Sequence, residues 1–178
     1  MNNQPAFVTL KDHKDNFPTN PKRRLINPTK TEIGQATKIM LDRINCDIRE
    51  KTNLNQWRST SQVIEWFNSL QDKHKLKFII FDIEEFYPSI SEDLIKASLN
   101  WAKQFSVIKD FEYDAIFHAR RTLLFDNAGK AWVKKNVPNE FDVSMCALDG
   151  AEVCELVGLF ILQQLKDKLD VTSLGLYR

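Results

Sequence analysis

Apolar residues recur along the chain at spacings that predict a helix-rich protein. One face of a helix from about residue 32 to residue 50 is formed by Ile33, Ala36, Met40, Ile44 and Ile48, which lie three or four positions apart. Ser59 followed by Gln62 is a capping-box pattern that predicts a second amphipathic helix up to residue 70. A helix at about 110–123 is expected to have its apolar face at Phe111, Ala115, Ile116, Ala119 and Leu123. Further helices are expected at about 92–105 and 151–169. The last is apolar almost all round, which is typical of a buried helix.

Short β-prone segments separate these helices. Strands are expected at Ala6–Leu10 and at Leu25–Ile26, on either side of a basic loop, and near Val171. A turn at 126–129 predicts a small hairpin. The apolar run from Lys77 to Ile83 predicts a buried central strand. The sequence therefore predicts an α+β protein, rich in helices and with a small antiparallel sheet.

Composition is that of an ordinary globular protein, with 43% hydrophobic and 28% charged residues among 178. Three widely separated cysteines (Cys46, Cys146 and Cys154) form no zinc-binding pattern and favour a reducing compartment. Neither a secretion signal nor a membrane-spanning stretch is evident. We therefore expect an intracellular protein, cytoplasmic or nuclear, with no membrane partner.

Positive charge is concentrated near the start of the chain. The net charge is +1, but residues 11–30 contain six basic and two acidic side chains, so the remainder of the chain is negative. Such a cluster is typical of a surface that binds phosphate, whether of a nucleic acid or of a nucleotide. A solvated loop without a ligand is the alternative.

Asp82 is the first candidate for chemistry because it directly follows an apolar strand. A buried carboxylate needs a positive partner, and a divalent cation held by Asp82 and the backbone carbonyl of Ile83 would provide one. A salt bridge or a cap at the strand end explains the same pattern without a metal.

The segment from Phe81 to Ser89 resembles the first palm motif of reverse transcriptases. The resemblance implies that Asp82 binds the catalytic metal ions and that Tyr87, with Phe86 beside it, contacts the sugar of the incoming nucleotide. A ring packed under the sugar leaves no room for a 2′-hydroxyl, so deoxynucleotides are selected. Packing in the core is the alternative role, and for Phe86 the two roles are compatible.

Two basic elements near the N-terminus are similar to the fingers hairpin of the same family. Leu10 to Lys14 contains a Lys-x-His-Lys element, and Arg24 opens an Arg-x-Ile element. The resemblance implies that Arg24 and Lys14 bind the triphosphate, since a guanidinium offers a bidentate fork and an ammonium a mobile charge. His13 is expected to be structural.

Residues 141–152 occupy the place of the family's second palm motif, a glycine-containing loop that supports template and nucleotide. Met145 and Gly150 are the loop residues that the resemblance implies. Cys146 stands where the family typically has glycine, and its Cβ restricts the backbone. Asp149, although close by, is not at a position where the family has a metal ligand.

The last residues, Leu174 to Arg178, resemble the opening of the Tyr-x-Asp-Asp hairpin, and the chain stops before the two aspartates. Polymerases of this kind use two Mg²⁺ ions about 3.5–4 Å apart, held between several carboxylates. We therefore expect an incomplete metal site and a chain that does not polymerise by itself.

Taken together, the motifs imply a partial right-hand polymerase fold from a retroelement, with a fingers-like subdomain at 1–76 and a partial palm at 77–178. The partners implied are an RNA or DNA template–primer and a dNTP. A non-catalytic module that binds nucleic acid or nucleotide on the same fold is the alternative, in which Trp57 and Trp132 could stack on bases. A small α/β enzyme of another class finds no supporting motif.

Overall fold

The computed structural model describes residues 5–12, 17, 19–21, 23–28, 30–54, 57, 59–77, 83, 86–121, 124–132, 143 and 146–168. Its elements, in chain order, are β1 (Phe7–Leu10), β2 (Arg23–Ile26), α1 (Glu32–Thr52), α2 (Thr60–Ser69), a 3-10 turn (Lys73–Lys75), α3 (Phe86–Ser89), α4 (Glu92–Ala102), α5 (Asp110–His118), β3 (Leu124–Phe125), β4 (Ala131–Trp132) and α6 (Gly150–Lys166). The predicted helix-rich α+β class is confirmed.

Helix α1 begins and ends at residues suited to those positions. The Thr31 hydroxyl accepts a hydrogen bond of 3.0 Å from the Gly34 N–H. At the other end Asn53 adopts the left-handed conformation, with φ 54°, and donates its N–H to the Arg49 carbonyl. The predicted apolar face is confirmed at Ile44 and Ile48, which are fully buried.

The core is formed where α1 and α4 pack on α6, with α5 against α1. Helix α6 is buried on most sides, as its all-round apolar sequence predicts. Among the described residues, the leucine, isoleucine and valine side chains that are fully buried are Leu41, Ile44, Ile48, Ile95, Leu99, Ile116, Val153, Leu156, Val157 and Leu159. Burying each contributes about 1.5–3 kcal/mol. Residues from both sides of the predicted 76/77 boundary therefore share one core.

Two short antiparallel hairpins lie beside the helices. In the first, Phe7 pairs with Ile26 and Thr9 with Arg24, so β1 and β2 have a fixed register. In the second, β3 pairs with β4. The predicted turn is confirmed, and the Asp126 carboxylate accepts hydrogen bonds from two backbone N–H groups within it. The Ala6 N–H donates to the Phe125 carbonyl at 3.1 Å, which connects the two hairpins.

The predicted second helix is present as α2, and its cap is confirmed because the Ser59 hydroxyl accepts from the Gln62 N–H at 3.4 Å. No residue of α2 is buried. Trp66 stands against Trp57 with ring centroids 4.8 Å apart, while Ile64 and Phe67 are exposed. Helix α2 is therefore amphipathic without being inserted in the core.

Helix α5 is shorter than predicted, ending at His118 rather than near residue 123. The Arg120 N–H bonds to the Phe117 carbonyl three residues back, which tightens the turn as Arg120 enters the interior. Phe111, predicted on the apolar face, is 58% exposed. Helix α4 ends at Ala102, three residues before the predicted limit. Most of the predicted strand at 77–83 and the one near Val171 lie outside the described residues.

Candidate functional site

Arg24, predicted to bind triphosphate, is exposed on β2 opposite Thr9. Side chains of paired residues share one face of an antiparallel pair and alternate along each strand. Arg23, also exposed, pairs with Leu10 and therefore lies on the other face of the hairpin. The fold presents two adjacent guanidinium groups on opposite faces, and only one of them is the predicted ligand.

Tyr87 and Phe86 lie in the single helical turn α3, half-buried and packed against the core. Both rings therefore have the alternative role, packing against the core. Each residue also remains partly exposed. Ile83 is 48% exposed. Asp82, Lys14 and Met145 lie outside the described residues.

The segment that resembles the second palm motif contains a strained residue. Cys146 is exposed and has φ 68°, in the left-handed region that glycine adopts readily and other residues rarely do. Gly150, predicted to be a loop residue, is instead the buried first residue of α6, and its N–H donates to the Ala147 carbonyl at 2.9 Å. The glycine-like backbone is therefore at Cys146.

A polar network of Thr37, Asp149 and Arg120 lies in the protein interior at the end of this turn. Arg120 and Asp149 form an ion pair with side chains 2% and 1% exposed. The Thr37 hydroxyl lies 2.5 Å from the other carboxylate oxygen, to which it donates. The network joins α1, the turn after α5 and the start of α6.

More polar contacts join α1 to the first turns of α6. Lys38 pairs with Glu152, and Arg49 pairs with Glu155. The side-chain amide of Asn45, which is fully buried, donates to the Glu152 carbonyl at 3.0 Å. The hydrogen bond to Glu152 raises the pKa of Lys38 above its ordinary value, so this side chain stays protonated at neutral pH.

Arg43 holds the segment before α5 onto α1. Its guanidinium donates to the Ser106 hydroxyl at 2.9 Å, to the Val107 carbonyl at 3.1 Å and to the Glu112 carboxylate at 2.9 Å. Burial works to raise the pKa of Glu112, but hydrogen bonds from the Lys109 N–H and from Arg43 outweigh it, and the pKa is lowered. Glu112 is therefore a buried anion at neutral pH.

The metal ligands that the motifs predict lie only partly within the described residues. Within the described ranges, no group of three or more histidine, cysteine or acidic side chains is arranged to hold a metal ion. The predicted donors are the one carboxylate of Asp82 and the carbonyl of Ile83, whereas two Mg²⁺ ions need several carboxylates.

None of the described helices is long and apolar enough to cross a bilayer.

Arg120 and Asp149 form the most buried charged pair among the described residues, and the sequence patterns did not single them out for a role. Arg120 stands beside Arg121 at the end of a helix, where an exposed position is the rule for arginine. Asp149 directly precedes α6 and was expected to have no role as a metal ligand. Only the approach of α1, α5 and α6 makes them partners.

Comparison with protein-family models, curated proteins and solved structures finds no match for this chain.

Proposed function

We propose that the chain is the fingers and partial palm of a reverse transcriptase-like polymerase of a retroelement, and that it binds a template–primer duplex and an incoming dNTP. Arg24 binds the triphosphate from the β1–β2 hairpin, with Lys14 as a second cation. Tyr87, with Phe86, contacts the sugar, and residues 141–152, including Met145, support the base. The nucleic acid is RNA or DNA.

The observation that carries this proposal is the left-handed backbone at Cys146. The family typically has glycine at this point of its second palm motif, and glycine is used where the backbone must adopt φ values that a Cβ disfavours. A left-handed backbone at the position of the family's glycine therefore supports the resemblance. The exposed Arg24 on a hairpin agrees with the proposed grip on phosphate.

Polymerisation itself is not part of the proposal for these 178 residues. Asp82 and the carbonyl of Ile83 offer one side of a Mg²⁺ site, which is too few ligands for two ions. Binding and selection of the nucleotide need only the hairpin, the tyrosine and the second palm segment. The expected behaviour is nucleotide-dependent duplex binding with no extension of the primer.

The test uses an RNA–DNA heteroduplex with a fluorescent label and a dideoxy-terminated primer, titrated with the chain by anisotropy with and without Mg²⁺. The dNTP that matches the template should tighten duplex binding by about tenfold, as a coupling of ordinary size would. A mismatched dNTP should not. Arg24→Gln should abolish the gain, whereas Arg23→Gln makes the same charge change on the opposite face and should keep it.

Other outcomes of this titration would support the alternative function or reject both functions. Salt-dependent binding of nucleic acid without any response to the matching dNTP would favour the alternative, a non-catalytic nucleic-acid-binding module. Failure to bind duplex or nucleotide at low salt would reject both functions. A primer-extension assay with Mg²⁺ and an unblocked primer completes the test, because robust synthesis by these residues would contradict the expected inactivity.

A further inference from the structure

Arg120 is a deeply buried arginine whose guanidinium group uses only part of its capacity for hydrogen bonds. Its side chain is 2% exposed and pairs through Nη2 with Asp149. Its Nε and Nη1 atoms are buried with no hydrogen-bond partner in the part of the chain that is described. Replacing a buried ion pair by apolar residues of similar volume is often neutral or stabilising. Stability alone therefore does not account for this pair.

Asp149 also gives up the contact that its position offers. It precedes the first residue of α6, where aspartate normally caps the helix by accepting from backbone N–H groups. Its side chain makes no such bond. Its two carboxylate oxygens bind Arg120 and Thr37 instead. The carboxylate thus fixes the turn to two other elements rather than stabilising its own helix.

The turn at 146–149 is attached to α1 at a second point. A Cβ placed on Gly34 would lie 3.4 Å from the Leu148 Cβ and 2.9 Å from the Thr31 hydroxyl oxygen. Leu148 therefore lies beside α1 at Gly34. With Leu148 against Gly34 and Asp149 bonded to Thr37, two consecutive residues of the turn are held by one helix.

These two attachments lie at the second and third residues after the strained Cys146. The left-handed conformation of Cys146 persists only if the neighbouring structure determines it, because the free energy of the isolated residue favours other conformations. Cys146 itself is exposed, so its side chain does not provide the restraint. Among the described residues, Val143 before Cys146 is buried in the core. After it, the Asp149 carboxylate binds Arg120 and Thr37, and these contacts can restrain the turn.

We propose that Thr37, Asp149 and Arg120 form an internal lock that fixes the 146–149 turn in the conformation that receives the nucleotide. This role rests on the proposed function, in which residues 141–152 support the incoming base. Arg120, Asp149 and Thr37 are positioning residues in this mechanism. They act through the backbone of the turn and do not touch the ligand.

The test compares variants that release the lock without leaving a buried charge unpaired. Thr37→Val removes the hydroxyl and keeps the shape, and Thr37→Ser restores a hydroxyl. The double variant Arg120→Met with Asp149→Leu replaces the ion pair by apolar groups, which preserves folding. Arg121→Met is the matched control, since the neighbouring Arg121 is 56% exposed and pairs with Glu92 on the surface.

Two readouts separate positioning from stability. Amide exchange by NMR reports the turn through Gly150 and Val153, whose N–H groups bond to Ala147 and Asp149, and reports α4 through Ile95. In Thr37→Val and in the double variant, exchange at Gly150 and Val153 should rise by about tenfold with Ile95 unchanged, as expected of a local opening. The dNTP-dependent gain in duplex affinity should fall by a similar factor, while duplex affinity without dNTP stays the same.

Thr37→Ser and Arg121→Met should behave as the parent chain does in both measurements. The lock is overturned if exchange rises equally at Ile95, which would mean a general loss of stability, or if the nucleotide response survives in the double variant. A parent chain that shows no nucleotide response rejects the proposed function and the nucleotide role together. Exchange at Gly150 still decides in that case whether the network fixes the turn.

Discussion

The hydroxyl of Thr37 and the carboxylate of Asp149 lie 2.5 Å apart in the protein interior, although 112 positions separate them in the sequence. The contact joins the first long helix to the start of the last one, and Arg120 binds the same carboxylate from a third element. A charged group that is this deeply buried is stable only when a partner pairs with its charge. The network therefore couples the folding of the core to the geometry of the 146–149 turn.

Breaking the ion pair from one side should be far more costly than replacing it. Arg120→Met alone leaves a buried carboxylate without its cation and should lower the free energy of unfolding by about 3–5 kcal/mol. Adding Asp149→Leu should recover most of that loss. Urea unfolding of the two single variants and the double variant measures the coupling, and simple additivity would contradict the buried pair.

Cys146→Gly should stabilise the protein. Glycine removes the steric cost of the left-handed conformation, which is partly offset by greater freedom of the unfolded chain, so the free energy of unfolding should rise by up to about 1 kcal/mol. Asn53→Gly is the control: Asn53 has φ 54°, but asparagine tolerates this conformation better, so its gain should be smaller. Thermal unfolding measures both, and a less stable Cys146→Gly variant would contradict the strain.

Glu112 should make stability depend on pH in the acid range. Because its pKa in the folded protein is below the ordinary 4.5, it contributes stability above that pH and loses it as the pH falls through the folded value. Glu112→Gln should cost about 1.5–3 kcal/mol at neutral pH, the usual contribution of hydrogen bonds to a charged group. The difference from the parent chain should shrink below pH 4.5.

The control for this titration is Glu65→Gln, which makes the same charge change at an exposed position of α2. Urea unfolding between pH 7 and pH 3, an interval of about four units that brackets ordinary carboxyl titration, is the measurement. If the effect of Glu112→Gln were equal across that interval, the ionised carboxylate would not be the source of the stability.

Two serine caps should differ in their effect on global stability. Ser91 caps α4, with the Leu94 N–H donating to its hydroxyl at 3.1 Å, and Ser59 caps α2 in the same way at 3.4 Å. Since α4 is part of the core and α2 has no buried residue, Ser91→Ala should cost about 1 kcal/mol and Ser59→Ala under about 0.5 kcal/mol. Equal losses in thermal unfolding would show that α2 is coupled to the core.

Tyr87 should control the choice of sugar if the proposed function holds. Tyr87→Val should let a matching rNTP tighten duplex binding nearly as well as the dNTP, because the ring no longer occupies the space of the 2′-hydroxyl. Tyr87→Phe keeps the ring and should keep discrimination. Anisotropy with the blocked heteroduplex measures both, and unchanged discrimination in Tyr87→Val would assign the ring to core packing alone.

Local patterns in the sequence were enough to locate α1, α2, α4 and α6 to within a few residues, as well as both hairpins. The spacing of apolar residues, the helix caps and the turn residues are local signals that act over a few positions of the chain. The structure contains the elements that these signals predict. The same reasoning failed for Phe111, because a residue near the end of a short helix can satisfy the apolar period and still face solvent.

The sequence by itself determined the helices, the hairpins, the basic cluster and the ordered motifs on which the proposed function depends, because each is written in residues close together along the chain. Only the tertiary structure decided that Cys146 holds a glycine-like backbone and that Arg120, Asp149 and Thr37 meet behind it. The physical reason is that burial and pairing of charge depend on which helices pack together. A carboxylate that directly precedes α6 in the sequence becomes the centre of a buried network where α1 and the end of α5 pack over it.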